Sequence, residues 1–295
     1  KKAGCGFVEV GSISARRSKG NKRPRAFRLP EDEALINRMG LNNAGAKAIQ
    51  PRLKRNAGQN AFPIGINIVK SHDPAITGQE AIDDFCESFR IVAPWADYIA
   101  LNISCPNTSE GKTFEDPNSL DDLLRAIMRE RSQMTRKVPI LIKMSPPSQS
   151  KFVLDSFYDE MILVSLAHGV SGFIASNTAS DRDGLITSPE RIAAIGKGGL
   201  SGRPICSRAN GLVSYLYRKT EGNVPIIGVG GISSAEDAYE RIKAGASLIQ
   251  LYTGLVYQGP GLIRSVKKGL VRLMEEDGHS SIKKIVGIDA RSPRI

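Results

Sequence analysis

The sequence lacks any apolar run near the roughly 20 residues that a membrane helix needs. Its longest apolar stretches, around residues 62–69 and 161–164, are the size of a strand or a turn. Cysteine is scarce: Cys5, Cys86, Cys105 and Cys206 are scattered, with no CxxC pair. That spacing argues against a disulfide framework or a zinc site and fits a reducing compartment. Histidine is scarcer still, with only His72, His168 and His279, all outside the polar clusters described below. No Ser/His/Asp arrangement is visible, so hydrolysis by a triad is not expected, and neither is a metal. The first residues carry no leader pattern. No low-complexity segment or long-period repeat is present.

The 295 residues are 41% hydrophobic and 24% charged, close to the globular average. This excludes disordered, collagenous and coiled-coil chains. The length fits one large α/β domain or two ordinary ones. Lys and Arg number 41 against 30 Asp and Glu, a net charge of +11. Such an excess suits nucleic acid, an anionic membrane surface, anionic small ligands or simply a basic protein. The basic residues are dispersed apart from the run at 16–25. With no aromatic platform or recognised motif beside that run, nucleic acid is not expected as a partner.

Seven short Val/Ile/Leu-rich runs read as strands: 7–13, 62–69, 98–104, 138–144, 172–177, 224–229 and 247–253. They are nearly continuously apolar, as strands covered on both faces should be. Helical periodicity separates them. Ile82, Phe85, Cys86, Phe89 and Val92 form one stripe in 80–92, and Leu120, Leu123, Leu124, Ile127 and Met128 another in 120–131. Further helices are expected at 44–56, 234–245 and 262–276. Strand alternating with helix implies a parallel sheet, doubly wound or closed as a (β/α)8 TIM barrel. Seven strands are one short of eight, so a first strand is expected upstream of residue 1. The chain reads as one domain over 1–295, with residues 14–61 making an excursion over the barrel mouth.

In a barrel the ligand lies at the C-terminal strand ends. Those ends carry Gly11-Ser12, Asn67, Asn102, Lys143, Asn177-Thr178, Gly230-Gly231 and Tyr252-Thr253. Singly, such residues cap loops; together they suggest a binding rim. The glycines at 230–231, with those of a third glycine-rich loop at 198–202, allow backbone amides to wrap a phosphate. Lys143 ends an otherwise apolar strand. It either snorkels to the rim or faces an anion, such as the negative charge on a reduced flavin ring. In the stretch 102–108 two asparagines flank Cys105, whose thiol could act as base or nucleophile. Cys5, Cys86 and Cys206 read as inert core residues.

Several stretches resemble dihydroorotate dehydrogenase: RAFRLPEDEALINRMGLNN at 25–43, NISCPNT at 102–108, GGLSG at 198–202, IIGVGGI at 226–232 and LIQLYTGLVY at 248–257. The resemblance spans roughly residues 4 to 275 and follows the class 2, quinone-linked branch. It implies an FMN-containing barrel that oxidises dihydroorotate to orotate in pyrimidine synthesis. A base takes the C5 proton while hydride leaves C6 for flavin N5. On that resemblance Cys105 is the base, and Asn37, Met39, Gly40, Leu41, Asn102, Asn107, Asn177 and Thr178 surround the substrate. Gly11, Ser12, Asn67, Asn102, Lys143, Ser201, Gly202, Gly230, Gly231, Tyr252 and Thr253 line FMN, and Arg28 and Tyr252 line a quinone tunnel.

The sequence departs from that branch in three ways. Cys105 stands where class 2 usually has serine, and Leu41 where it usually has phenylalanine; both look like class 1. A thiol titrates well below a hydroxyl and needs less help as a base. The family's first strand, with an Ala-Ala-Gly turn and an active-site lysine, is missing, as are the amphipathic helices before it. The resemblance implies a quinone acceptor and peripheral membrane contact through that missing segment, on a cytoplasmic face or in an organelle. The alternatives are a fumarate- or NAD-linked enzyme, a related flavin-dependent dihydropyrimidine oxidoreductase, or a non-catalytic phosphate-binding barrel.

Overall fold

The structure is a computed structural model and describes residues 3–56, 62–104, 114–148 and 156–291. In chain order the elements are β1 (Val8–Ile13), β2 (Ala26–Leu29), β3 (Ala34–Asn37), α1 (Ala46–Asn56), β4 (Ile64–Ile68), α2 (Gly78–Val92), β5 (Tyr98–Asn102) and α3 (Pro117–Ser132). Then come β6 (Ile140–Met144), α4 (Ser156–Ala167), β7 (Gly172–Ala175), α5 (Pro189–Ile195), β8 (Gly199–Gly202) and α6 (Cys206–Lys219). The chain continues through β9 (Ile226–Val229), α7 (Ala235–Lys243), β10 (Leu248–Gln250), α8 (Thr253–Gln258) and α9 (Leu262–Glu276) to α10 (Ile282–Ile285) and α11 (Ile288–Arg291).

Seven strands form one parallel sheet in the order β1-β4-β5-β6-β7-β9-β10. All seven expected strands are found, each shorter than the apolar run that marked it. The sheet curls without closing. Glu9 on β1 and Gln250 on β10 meet through a 3.0 Å hydrogen bond although their strands are the two unpaired edges. The architecture is thus a TIM-barrel-like fold lacking one strand's worth of pairing.

Side chains alternate across each strand, and the two faces are filled differently. Ile66, Ile68, Ile99, Leu101, Ile140, Ile142 and Phe173 face outward into the main core, against Phe85 and Phe89 of α2, Leu123 and Leu124 of α3 and Leu212 and Leu216 of α6. The inward face holds a smaller cluster of Tyr98, Ala100, Leu141, Ile174 and Ile227, with Phe7 and Val229 against it. The same inward rows end in polar side chains, since Asn67 is level with Ala100 and Asn102 with Lys143. Gly65 lies under the Tyr98 ring, and a Cβ there would overlap the ring carbons. A strand glycine here marks close approach.

Two expectations need correction. Residues 198–202, read as a phosphate-wrapping loop, are mostly strand: β8 pairs antiparallel with β3, and β3 with β2, in a separate three-stranded sheet. The glycines serve close packing. A Cβ on Gly199 would overlap Thr178 Oγ1, and Gly202 has φ +104 with Thr253 Cγ2 3.0 Å from its Cβ position. The segment 14–61, expected to hold one helix, supplies two strands of this sheet as well as α1. An Ala179–Leu200 bridge and the Ser201–Thr253 hydroxyl pair (2.8 Å) tie the sheet to the ends of β7 and β10.

Candidate active site

The C-terminal ends of the parallel strands converge on one hydrogen-bonded system. Its root is Glu9, whose side chain is only 11% exposed. Oε1 accepts from Asn67 Nδ2 at 3.1 Å and from Lys143 Nζ at 3.4 Å. Oε2 accepts from Tyr98 Oη at 3.1 Å and Gln250 Nε2 at 3.0 Å. Burial alone would raise this carboxyl. The Lys143 ammonium and the hydrogen bonds from Gln250, Asn67 and Tyr98 outweigh that and hold it below the ordinary carboxylate range. The Tyr98 hydroxyl is pushed up, first by burial and then by the neighbouring carboxylate.

A carboxylate only accepts, so the Asn67 atom facing Glu9 has to be its NH2. This fixes every amide that follows. Asn67 Oδ1 accepts from Ser12 Oγ (2.6 Å) and Asn102 Nδ2 (3.4 Å), and Asn102 Nδ2 also lies 3.3 Å from Ser12 Oγ. Asn102 Oδ1 accepts from Asn177 Nδ2 at 3.0 Å. Asn177 Nδ2 also reaches Ser104 Oγ at 3.0 Å, and Asn177 Oδ1 accepts the Thr178 N–H at 2.9 Å. The amides thus run head to tail from β4 to the end of β7, each dipole reinforcing the next. Ser104 Oγ donates to the Lys143 carbonyl at 3.0 Å, joining the ends of β5 and β6.

The structure therefore brings Ser12, Asn67, Asn102, Lys143, Asn177 and Thr178 together from five strands. Gly11 has φ +127, and a Cβ there would meet the Asn67 carbonyl at 2.5 Å, so glycine lets β1 close against β4. Asn37, at the end of β3, donates to the Gly199 carbonyl (3.3 Å), above Thr178. Gly40 (φ +68) and the buried Leu41 (φ +54) form a tight turn, with Leu41 packed on Val69. Met39 is exposed on that turn. Thr253 is buried, whereas Tyr252 is 74% exposed. Arg28 lies on β2, the outermost strand of the small sheet, with β3 between it and β8. Cys105 and Asn107 lie outside the described residues.

Gly230 (φ +112) and Gly231 (φ +74) form the turn after β9. Sequence reasoning missed its support. Arg241 of α7 is fully buried; Nη2 donates to the Gly230 carbonyl (2.7 Å) and the Cys206 carbonyl (3.2 Å), and Nε donates to Asn210. Gly228 makes room for its stem, since a Cβ there would lie 2.6 Å from Arg241 Cγ. Ser234 caps α7 by accepting the Asp237 N–H (3.0 Å), and Asp237 returns a bond from the Ser233 N–H (2.9 Å), fixing the exit from the turn. Glu9, Tyr98 and Gln250 were missed too. For Glu9 and Gln250 the signal was a single polar residue in an apolar run: Phe7-Val8-Glu9-Val10 and Leu248-Ile249-Gln250-Leu251.

A family model described as dihydroorotate dehydrogenase matches residues 1–274. The chain belongs to the dihydroorotate dehydrogenase family. It is 42% identical over 288 residues to a dihydroorotate dehydrogenase (quinone) of Roseiflexus sp. strain RS-1, covering 97% of this chain and 76% of that protein. A protein of the same name from Deinococcus deserti is 43% identical, covering 97% and 77%. The crystal structure of DHODH from Eimeria tenella in complex with ferulenol superposes with a TM-score of 0.88 at 33% identity, covering 99% of this chain and 81% of that one.

FMN is the cofactor of this family, and the donor set at the rim fits it. One proton of the Ser201–Thr253 hydroxyl pair, the amides of Asn67 and Asn102 and the Lys143 ammonium are donors suited to ring carbonyls, ring nitrogens and a phosphate, and the Ser12 oxygen can accept from a ring N–H. At Gly231 a Cβ would lie 2.5 Å from Cys206 Cβ, and at Gly230 3.0 Å from Ile205 Cδ1, so glycine lets this turn pack against the start of α6 with its backbone left at the rim.

Proposed function

We propose that this chain is an FMN-dependent dihydroorotate dehydrogenase that oxidises dihydroorotate to orotate in pyrimidine biosynthesis and passes the electrons to a quinone. The observation carrying this reading is the oriented amide chain Asn67–Asn102–Asn177 beside Lys143. Dihydroorotate is a cyclic diamide with a carboxylate, and it needs amide donors and acceptors in a fixed order. Asn102, Asn107, Asn177 and Thr178 hold its ring, with Asn37, Met39, Gly40 and Leu41 on the side of the small sheet. Bound FMN supplies the acceptor for the hydride leaving C6.

Cys105 takes the C5 proton as a thiolate, which is far more available near neutral pH than a serine alkoxide. The loss of one proton and one hydride leaves the C5–C6 double bond of orotate. Lys143 keeps a positive charge where negative charge develops on reduction. Gly11, Ser12, Asn67, Asn102, Ser201, Gly202, Gly230, Gly231, Tyr252 and Thr253 line the cofactor, all within one domain over residues 1–295. Arg28 and Tyr252 border the quinone path. Tyr252 is well placed for this as a largely exposed aromatic beside the buried Thr253.

Quinone is the acceptor in the names of the relatives at 42–43% identity, which favours it over fumarate or NAD. Among the described residues no helix is long and apolar enough to cross a membrane. Access to a lipid-soluble quinone implies contact with a membrane surface. Steady-state assays with dihydroorotate and a short-chain quinone, fumarate or NAD test this reading. Quinone is expected to support the fastest turnover; turnover with fumarate or NAD alone would overturn the assignment of acceptor.

A further inference from the structure

Glu9 and Lys143 form an ion pair inside the curled sheet. Nζ to Oε1 is 3.4 Å, and the side chains of Lys143 and Glu9 are 17% and 11% exposed. On the same inward face lie Tyr98, Ala100, Leu141, Ile174 and Ile227, with Phe7 packed against them, and the polar partners Asn67 and Gln250 bind Glu9 directly. A buried ion pair is seldom more stable than a well-packed apolar pair of the same volume, so packing alone does not account for these residues. Both Glu9 oxygens are fully engaged, by Asn67 and Lys143 on one side and by Tyr98 and Gln250 on the other. The carboxylate is thereby fixed beneath Lys143, on the side away from the open rim.

We propose that Glu9 is a positioning residue for the flavin site: it holds the Lys143 ammonium at the rim and, as its counter-charge, limits how strongly that ammonium favours the reduced cofactor. This inference rests on the functional reading above, in which Lys143 faces FMN. The pair is neutral as a whole, so a ring above it sees a cation in front and an anion behind. Removing the anion exposes the full ammonium charge. Removing the cation leaves the carboxylate alone. The two changes therefore move the reduction potential in opposite directions, which a merely structural role for either residue would not produce.

The test is the midpoint potential of bound FMN in the full chain, measured against reference dyes for wild type, Glu9→Gln, Glu9→Asp and Lys143→Gln. Glu9→Gln keeps the size of the side chain, and its amide can still meet Lys143, Tyr98 and Gln250. It is expected to favour the reduced cofactor about tenfold, a rise of about 30 mV for a two-electron couple. Lys143→Gln is expected to lower the potential. Glu9→Asp draws the same charge back by one methylene and gives a smaller rise. Should Glu9→Gln not fold, the sign of the Glu9→Asp shift decides. An unchanged or lowered potential in a folded Glu9 variant overturns the inference while wild type still binds FMN and oxidises dihydroorotate. Wild type that does neither overturns the functional reading instead.

Discussion

Replacing Asn102 by aspartate exchanges one NH2 for an oxygen and changes little else in size. In the native chain Asn102 Nδ2 faces Asn67 Oδ1 at 3.4 Å and Ser12 Oγ at 3.3 Å. Asn67 cannot turn to compensate, because its NH2 is held by Glu9 Oε1 at 3.1 Å. Ser12 has a single proton, already given to Asn67 Oδ1 at 2.6 Å. The new oxygen thus leaves at least one buried acceptor unmatched and adds a second carboxylate to a network that already holds Glu9. An unmatched buried polar group costs about 1–3 kcal/mol, and the extra buried charge adds to it, so Asn102→Asp is expected to lose about 2–4 kcal/mol of stability at neutral pH.

The deficit has a sign in pH. Burial lifts the introduced carboxyl above its unfolded value, with the Lys143 ammonium level with it on the neighbouring strand opposing part of that rise. The penalty is therefore full above that raised pKa and shrinks as pH falls, since the protonated acid donates to Asn67 Oδ1 as the amide did. Denaturant unfolding of wild type and variant at pH 8 and pH 5 measures it. The gap in midpoints is expected to narrow at the lower pH, with turnover of dihydroorotate reduced at both. An Asn102→Asp protein with wild-type stability and turnover at pH 8 would refute the oriented amide chain.

Other expectations follow from the same geometry. Gly65→Ala places a methyl on top of the Tyr98 ring and is expected to cost at least about 1–3 kcal/mol; a wild-type unfolding midpoint would show that Tyr98 does not need that space. Cys105→Ala is expected to lower kcat about 10²–10⁴-fold with FMN still bound, whereas unchanged kcat would remove the thiol from the reaction. Glu9, held below its ordinary value of 4.5, contributes stability that is fully present above pH 4.5 and lost as pH falls through its lower native value. Acid titration of the unfolding midpoint should show a steeper loss for wild type than for Glu9→Gln, and parallel curves would contradict the buried carboxylate network.

The parallel strands were legible because a strand covered on both faces must be apolar throughout. Asn67, Asn102, Lys143 and Asn177 were legible because they interrupt that rule at the ends of the runs. The small antiparallel sheet was not. Its strands are four residues long, and Ala26–Leu29 and Gly199–Gly202 carry too little apolar pattern to register. In Gly199 and Gly202 the same residue type that suggested a ligand loop instead serves close approach to Thr178 and Thr253. Glu9 and Gln250 sit one layer deeper than the rim. A lone polar residue in an apolar strand has no local explanation until the opposite edge of the sheet is brought beside it. Arg241 was hidden because a basic residue on an amphipathic helix normally faces water, whereas here Gly228 opens a path for it to the Gly230 carbonyl.

The central claim is that these strand tips surround an FMN ring that dihydroorotate can reduce. An anaerobic absorbance spectrum of the purified protein, before and after addition of dihydroorotate, tests it most directly. The protein is expected to be yellow, with a flavin band that bleaches on mixing and returns when a quinone is added. A folded protein that stays colourless with FMN supplied, or whose flavin band is unmoved by dihydroorotate, would contradict it.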